Sequence, residues 1–167
     1  MLSKKMETAI NKQINAELYS GYMYLAMSSH FESINLPGFA AWLKVQAGEE
    51  LGHAMKMFDY VVERGGRVTL AAIDKPPAKW ASPLKAFEAV YEHECKVTAM
   101  INKLADLATA ENDHATSVFL HWFIKEQVEE EASADAVVQK LKLAKDSPGP
   151  LLMLDREMSR RGAGSDG

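Results

Sequence analysis

The sequence predicts an all-α protein, a four-helix bundle with one long crossover and a short C-terminal fifth helix, and three observations predict it. Apolar residues recur at intervals of three and four through four long segments, while no stretch alternates with a period of two. Glycine and proline are concentrated at the few places that separate those segments. Each segment holds roughly 28 residues, about 40 Å of helix, and the connections run short, long, short.

Ser3 caps a first helix that runs to about Phe31, before the turn Asn35-Leu36-Pro37-Gly38. The second helix ends at Arg64-Gly65-Gly66, where glycine supplies a left-handed stop. From Arg67 to Ala81, a stretch that contains Pro76-Pro77, neither period is present, and this is the expected crossover. Ser82-Pro83 is a cap followed by proline at the first helical position, and the third helix runs to about Ala110. Glu111-Asn112-Asp113 turns into the fourth, which reaches about Lys145. Ser147-Pro148-Gly149-Pro150 breaks the chain again, leaving a fifth helix from Leu151 to about Arg160 and a frayed tail over 162–167.

With 167 residues, 47% apolar and 25% charged, the chain has enough apolar material for one core and too much for disorder, so 1–167 reads as a single domain. A net charge of −4 without a long basic run disfavours nucleic acid and anionic lipid as partners. The lone Cys95 excludes an internal disulfide and agrees with a reducing compartment. No segment reaches the ~18 consecutive apolar residues of a spanning helix, and residues 1–20 lack the apolar centre of a signal peptide. A cytoplasmic protein that does not enter membranes is expected.

The helical stripes carry polar residues where packing alone would need only apolar ones. Glu17 sits among Ile10, Ile14, Tyr24 and Phe31, and Glu50 and His53 lie one turn apart among Leu43, Ala47, Ala54 and Met57. Glu94 falls between Val90 and Val97, and Gln127 and Glu130 between Phe123 and Ala134. The intervals repeat. Glu17 to Glu50 and Glu94 to Gln127 are both 33 positions, and Glu17 to His53 and Glu94 to Glu130 are both 36. Two antiparallel hairpins related by an approximate two-fold axis therefore bring all six residues to the middle of the bundle.

Four carboxylates meeting in a dry interior repel, and each buried charge is costly unless paired. Lysine and arginine are missing from the stripes at that height. The economical counter-charge is one or two metal cations, and two divalent ions match the charges of Glu17, Glu50, Glu94 and Glu130. Oxygen-rich ligation with an imidazole and open positions suits iron or manganese better than structural zinc. An open pair of such ions can bind O2 or a peroxide, which points to redox chemistry.

The segments Asn15-Ala16-Glu17-Leu18-Tyr19-Ser20, Glu49-Glu50-Leu51-Gly52-His53, Tyr91-Glu92-His93-Glu94 and Glu126-Gln127-Val128-Glu129-Glu130-Glu131 are similar to the iron-site motifs of the prokaryotic non-haem ferritins. The likeness runs from the first helix through the fifth. It implies a ferritin-like fold and a ferroxidase centre holding two irons per chain. Glu17, Glu50 and His53 would hold one iron and Glu94 and Glu130 the other, with Glu50 bridging and Gln127 near the first iron as a weak ligand at most. The resemblance also implies a third iron site from Glu49, Glu126, Glu129 and Glu130. Tyr24, seven residues after Glu17 on the same face, resembles the family's tyrosine that donates an electron or a hydrogen bond beside the centre. Trp122 reads as a core aromatic, with a place close enough to the centre to be oxidised as the alternative, and His30, His93, His114 and His121 read as ordinary histidines.

The implied activity is oxidation of Fe(II) by O2 or hydrogen peroxide and storage of the ferric product as a mineral inside a homo-oligomeric shell, in the family one of twenty-four subunits. The apolar run Leu151-Leu152-Met153-Leu154 reads as a contact between subunits. Two departures narrow the family. Gln127 and Glu130 stand where di-iron oxidases and bacterioferritins have a second Glu-x-x-His, which favours iron passing through the site over iron kept there. Gly52 replaces the haem-ligating methionine of bacterioferritins, so no haem is expected. One cysteine cannot supply the rubredoxin-like part of rubrerythrins, and Lys4-Lys5 is too slight for the basic tail of the DNA-protecting mini-ferritins. The alternative is a rubrerythrin-like di-iron oxidase or peroxidase that stores nothing.

Overall fold

A computed structural model describes residues 1–145 and 147–164. Its elements are α1 (Lys4–Ser33), α2 (Pro37–Glu63), α3 (Pro83–Ala110), α4 (His114–Ala144), α5 (Pro148–Met158) and a 3-10 helix (Ser159–Gly164). No strand occurs among the described residues. The fold class is the one the sequence predicts.

Three helices begin on side-chain caps: Ser3 accepts from the Met6 N–H, Ser82 from Lys85 and Asp113 from Thr116. Four end on a left-handed residue, Asn35 (φ 59°), Gly65 (φ 70°), Asn112 (φ 54°) and Lys145 (φ 48°). After the first three the next N–H reaches back five residues, Leu36 to Phe31 at 3.0 Å, Gly66 to Val61 at 2.8 Å and Asp113 to Ala108 at 2.9 Å, which satisfies carbonyls the helix leaves free.

α2 lacks a local cap because Leu36 precedes it. Asp155 of α5 serves instead, accepting from the Phe39 N–H at 2.9 Å. Gly38 makes that approach possible, since a Cβ there would stand 1.6 Å from the Asp155 carbonyl oxygen. α5 begins at Pro148, three residues before the expected Leu151. Pro148 and Pro150 both fall in its first turn, where an N–H has no intrahelical acceptor to lose, so they start the helix where a break was expected. The expected frayed tail is a 3-10 helix as far as Gly164, and 165–167 lie outside the described residues.

α1 packs against α2 and α3 against α4 as two hairpins, α1 lies along α3, and α5 rests on α2 and α4. Among the described residues no Cα of α2 comes within 8 Å of one in α4, so large side chains fill the space between those helices. The crossover is tied to one face of α1 at successive turns. Glu7 accepts from the Arg67 N–H (3.1 Å), Asn11 donates to the Arg67 carbonyl (2.9 Å) and accepts from Thr69 (2.8 Å), and Asn15 donates to the Ala72 carbonyl (3.1 Å).

The core is in two parts. One end of the bundle is filled by Phe31, Phe39, Leu43 and Phe87 with their neighbours, the other by Ile10, Met57, Val61, Ile101 and Leu120 with theirs. At about 2 kcal/mol for each large apolar side chain buried, these ends supply the stability that permits a polar band between them.

Candidate metal centre

That band contains the predicted residues. Glu17, Glu50, His53, Glu94, Gln127 and Glu130 are all 5% exposed or less. Glu17, Glu50 and His53 bring one ligand atom each to within 4.8 Å of one another, and so do Glu50, Glu94 and Glu130, with Glu50 common to both groups. His53 Nδ1 stands 3.4 Å from Glu50 Oε2 and 3.9 Å from Glu17 Oε2. These gaps suit two donors that share one ion, because ligands each about 2.1 Å from a metal lie about 3–4 Å apart.

Other side chains hold the carboxylates. Gln13 donates to Glu17 Oε1 at 2.8 Å, and the Gln46 amide nitrogen donates to both Glu50 Oε1 (2.9 Å) and Glu130 Oε2 (2.7 Å). The buried Tyr24 hydroxyl donates to Glu94 Oε1, and Gln127 donates to Glu94 Oε2 and to Thr98 Oγ1, each at 3.2 Å. Gln127 thus stands beside Glu94, away from the Glu17 side where the resemblance implied it. His93, behind Tyr24, shares a 2.7 Å hydrogen bond with Ser20 Oγ. Burial, and then Lys96, lower its pKa to about 4, so the ring is neutral.

Among the described residues one buried side-chain oxygen has no hydrogen-bond partner, Glu17 Oε2, and it faces His53. That orphaned atom tests whether the site fits a metal, and it does: its neighbours are ligand types, and a cation is the partner it lacks. The charges agree. Burial, then Glu50, push Glu17 well above the usual carboxylate range. Burial, then Glu94, raise Glu50 to about 8 and Glu130 to about 7. Glu94 is raised by burial too, although bonds from Tyr24 and Gln127 work against the shift. Without a cation, burial and mutual repulsion favour the protonated acids, and a divalent ion would take the protons' place.

The residues expected to form a third site divide. His53, Glu126 and Glu130 form a third metal-capable group, with His53 Nε2 4.0 Å from Glu126 Oε1. Glu129 is exposed, and Glu49 is paired with Arg161 at 2.7 Å, so neither joins a group. Trp122 corrects the sequence reading. It lies at the surface, edge-on to His53 with ring centroids 5.4 Å apart and Lys56 over its face, because its position on α4 faces away from the core. His30 packs on Trp80, and His114 and His121 are exposed.

Sequence reasoning missed Gln13, Gln46, Thr98 and Arg161. Gln13 and Gln46 carried a readable signal, since each stands four residues before a site glutamate, Glu17 or Glu50. For Arg161 no local pattern points back to α2.

A crossover-connected bundle whose hairpins converge carboxylates and an imidazole at mid-height defines the ferritin-like class. The profile of the ferritin-like domain matches residues 7–144, and the chain belongs to the ferritin family. The bacterial non-heme ferritin of Bacteroides fragilis (strain 638R) is 45% identical over 161 residues, covering 96% of this chain and all of its own. That of Escherichia coli O157:H7 is 36% identical, with 95% of this chain and 96% of its own covered. Among solved structures, the open pore ferritin of Archaeoglobus fulgidus superposes with a TM-score of 0.95 at 57% identity, covering 95% of this chain and 98% of that one.

Proposed function

We propose that this chain is the subunit of an iron-storing, iron-detoxifying assembly that oxidises Fe(II) at the buried cluster. The observation that carries this reading is the pair of three-ligand groups sharing Glu50, with the unpartnered Glu17 oxygen in one of them. Iron is here substrate and cargo. Glu17, Glu50 and His53 receive one Fe(II), Glu94 and Glu130 the other, and Glu50 stands between them. Each iron gives up one electron. O2 takes two electrons and two protons to become hydrogen peroxide, or hydrogen peroxide takes the same to become two waters. The protons that Glu50 and Glu130 hold are released as the cations bind. Hard carboxylate oxygens favour Fe(III) over Fe(II), which drives the oxidation. Tyr24 orients Glu94, and Gln46 holds Glu50 and Glu130 at a fixed separation. A third iron is received on the Glu126 side by Glu126 and Glu130, with Glu49 and Glu129 nearby.

Storage requires a closed container, and two apolar surfaces support a homo-oligomeric shell of the family's twenty-four subunits. Tyr22, Leu25, Leu51 and Ile73 are exposed around a groove of about 250 Å³, and Leu143, Leu152 and Met153 are exposed around α5. Of the apolar run of the fifth helix, Leu152 and Met153 are exposed, whereas Leu154 is buried in the core and Leu151 packs against it. Among the described residues no helix is long and apolar enough to cross a membrane, and a cytoplasmic location is proposed.

Rapid-mixing oxidation of Fe(II) in air tests the reading. Glu94→Ala and Glu130→Ala should each slow the fast phase at least about tenfold while particle size stays unchanged. Undiminished fast phases in both variants would remove the site assignment. A small dimer retaining about two irons per chain, in place of a large iron-filled particle, would support the rubrerythrin-like alternative.

A further inference from the structure

Arg161, on the 3-10 helix that follows α5, joins the C-terminal segment to the metal centre. Its guanidinium lies over the Trp42 ring, 4.2 Å from the centroid. One nitrogen donates to Gln46 Oε1 at 2.8 Å and another to Glu49 Oε2 at 2.7 Å. Because the buried Gln46 amide nitrogen donates to Glu50 and Glu130, the amide has one workable orientation. Reversed, it would turn its oxygen on two carboxylates and its N–H groups on a guanidinium. Arg161 thus fixes Gln46, and Gln46 holds Glu130.

Glu130 belongs to two of the ligand groups, one with Glu50 and Glu94 and one with His53 and Glu126. Gln46 bonds Glu50 and Glu130 together and so draws Glu130 toward the first. Glu49, next to Glu50 on α2, is the further acid that the third-site reading assigns to the second, and its charge repels that of Glu130. Its carboxylate is engaged by Arg161. With the two side chains 27% and 41% exposed, that pair is of the modest, displaceable kind that a divalent ion can outcompete.

We propose that Arg161 is a positioning residue that competes with the third cation: it withholds Glu49 from metal and, through Gln46, commits Glu130 to the paired site, so a third ion is seated only by displacing the guanidinium. This rests on the third-site reading given under the proposed function. Anaerobic calorimetric titration of the metal-free protein with Zn(II), which ligates without changing oxidation state, tests it. In Arg161→Gln the affinity for the third ion, relative to the first two, should rise about fivefold, the order expected from freeing a half-exposed carboxylate. In a Glu49→Gln background the same replacement should give a smaller rise, since only the route through Gln46 to Glu130 remains.

A second measurement reads the displacement itself. In a Trp80→Phe, Trp122→Phe protein, the emission of Trp42 should change with the third equivalent of Zn(II) as the guanidinium leaves the ring, and should not change in the Arg161→Gln version. Equal third-ion affinities with and without Arg161, or a Trp42 response to the first equivalent, would overturn the inference and leave a three-ion protein standing. Two ions per chain in both proteins would remove the third site and the inference together.

Discussion

In the first hairpin Glu17 and Glu50 each have a glutamine four residues earlier, whereas the matching positions in the second hairpin, Val90 and Phe123, are apolar. The two halves of the centre therefore satisfy their acids differently. Glu94 has both oxygens bonded, one by Tyr24 and one by Gln127, while Glu17 has one oxygen bonded by Gln13 and the other left bare toward His53. Glu94 has a partner for each oxygen without metal, and Glu17 does not. An approximate two-fold axis places the backbone alike on both sides, and side chains alone make one half demand a cation.

The strongest way to break this comparison is Glu17→Gln. It should weaken the tightest ion by about a hundredfold or more in anaerobic titration, against about tenfold for Glu94→Gln. The same change should stabilise the metal-free protein at pH 7 and raise its melting temperature, since glutamine has no proton to recruit. Equal losses in the two variants would mean that the halves are equivalent after all.

Next in size is the dependence on pH. Glu50 and Glu130, raised to about 8 and about 7, bind protons in the folded chain that the unfolded chain releases near 4.5. Their contribution is fully present below pH 4.5 and is lost as pH rises through 7 to 8, so the metal-free protein should lose on the order of 5 kcal/mol between pH 5 and pH 8.5. Glu50→Gln should remove most of that slope. A metal-free melting temperature that climbs over this range would contradict the assignment.

Making the halves alike sharpens the comparison. Gln127→Glu with Glu130→His gives the second hairpin the Glu-x-x-His of the first, and an ion held there should exchange about tenfold more slowly. The smallest effect belongs to Tyr24→Phe, which strips one oxygen of Glu94 and should cost about 1 kcal/mol of stability with the helical content intact. An unchanged melting temperature would mean that the bond contributes nothing.

The hairpins, their turns and the six central residues were legible because each rests on a period or an interval. Ser3, Gly65 and Asp113 mark helix ends by local chemistry, and the repeated spacings of 33 and 36 align the acids without any knowledge of contacts. What escaped depends on distant parts of the chain. Pro148 and Pro150 look like breakers until α5 is seen to start on them. Trp122 has the composition of a core residue, and the angle of α4 puts it outside. Arg161 reaches Glu49 across 112 positions, and neither residue's neighbours announce the other.

The cap that Asp155 places on α2 has a consequence for synthesis. A chain made from its N-terminus exposes the first turn of its second helix, with an unanswered Phe39 N–H, until residue 155 has emerged. Arg161 follows six positions later, so the acids near Gln46 meet their guanidinium only after the four long helices have been made. The order of manufacture leaves the interior of the nascent bundle open to water, and to dissolved ions, until Asp155 and Arg161 arrive.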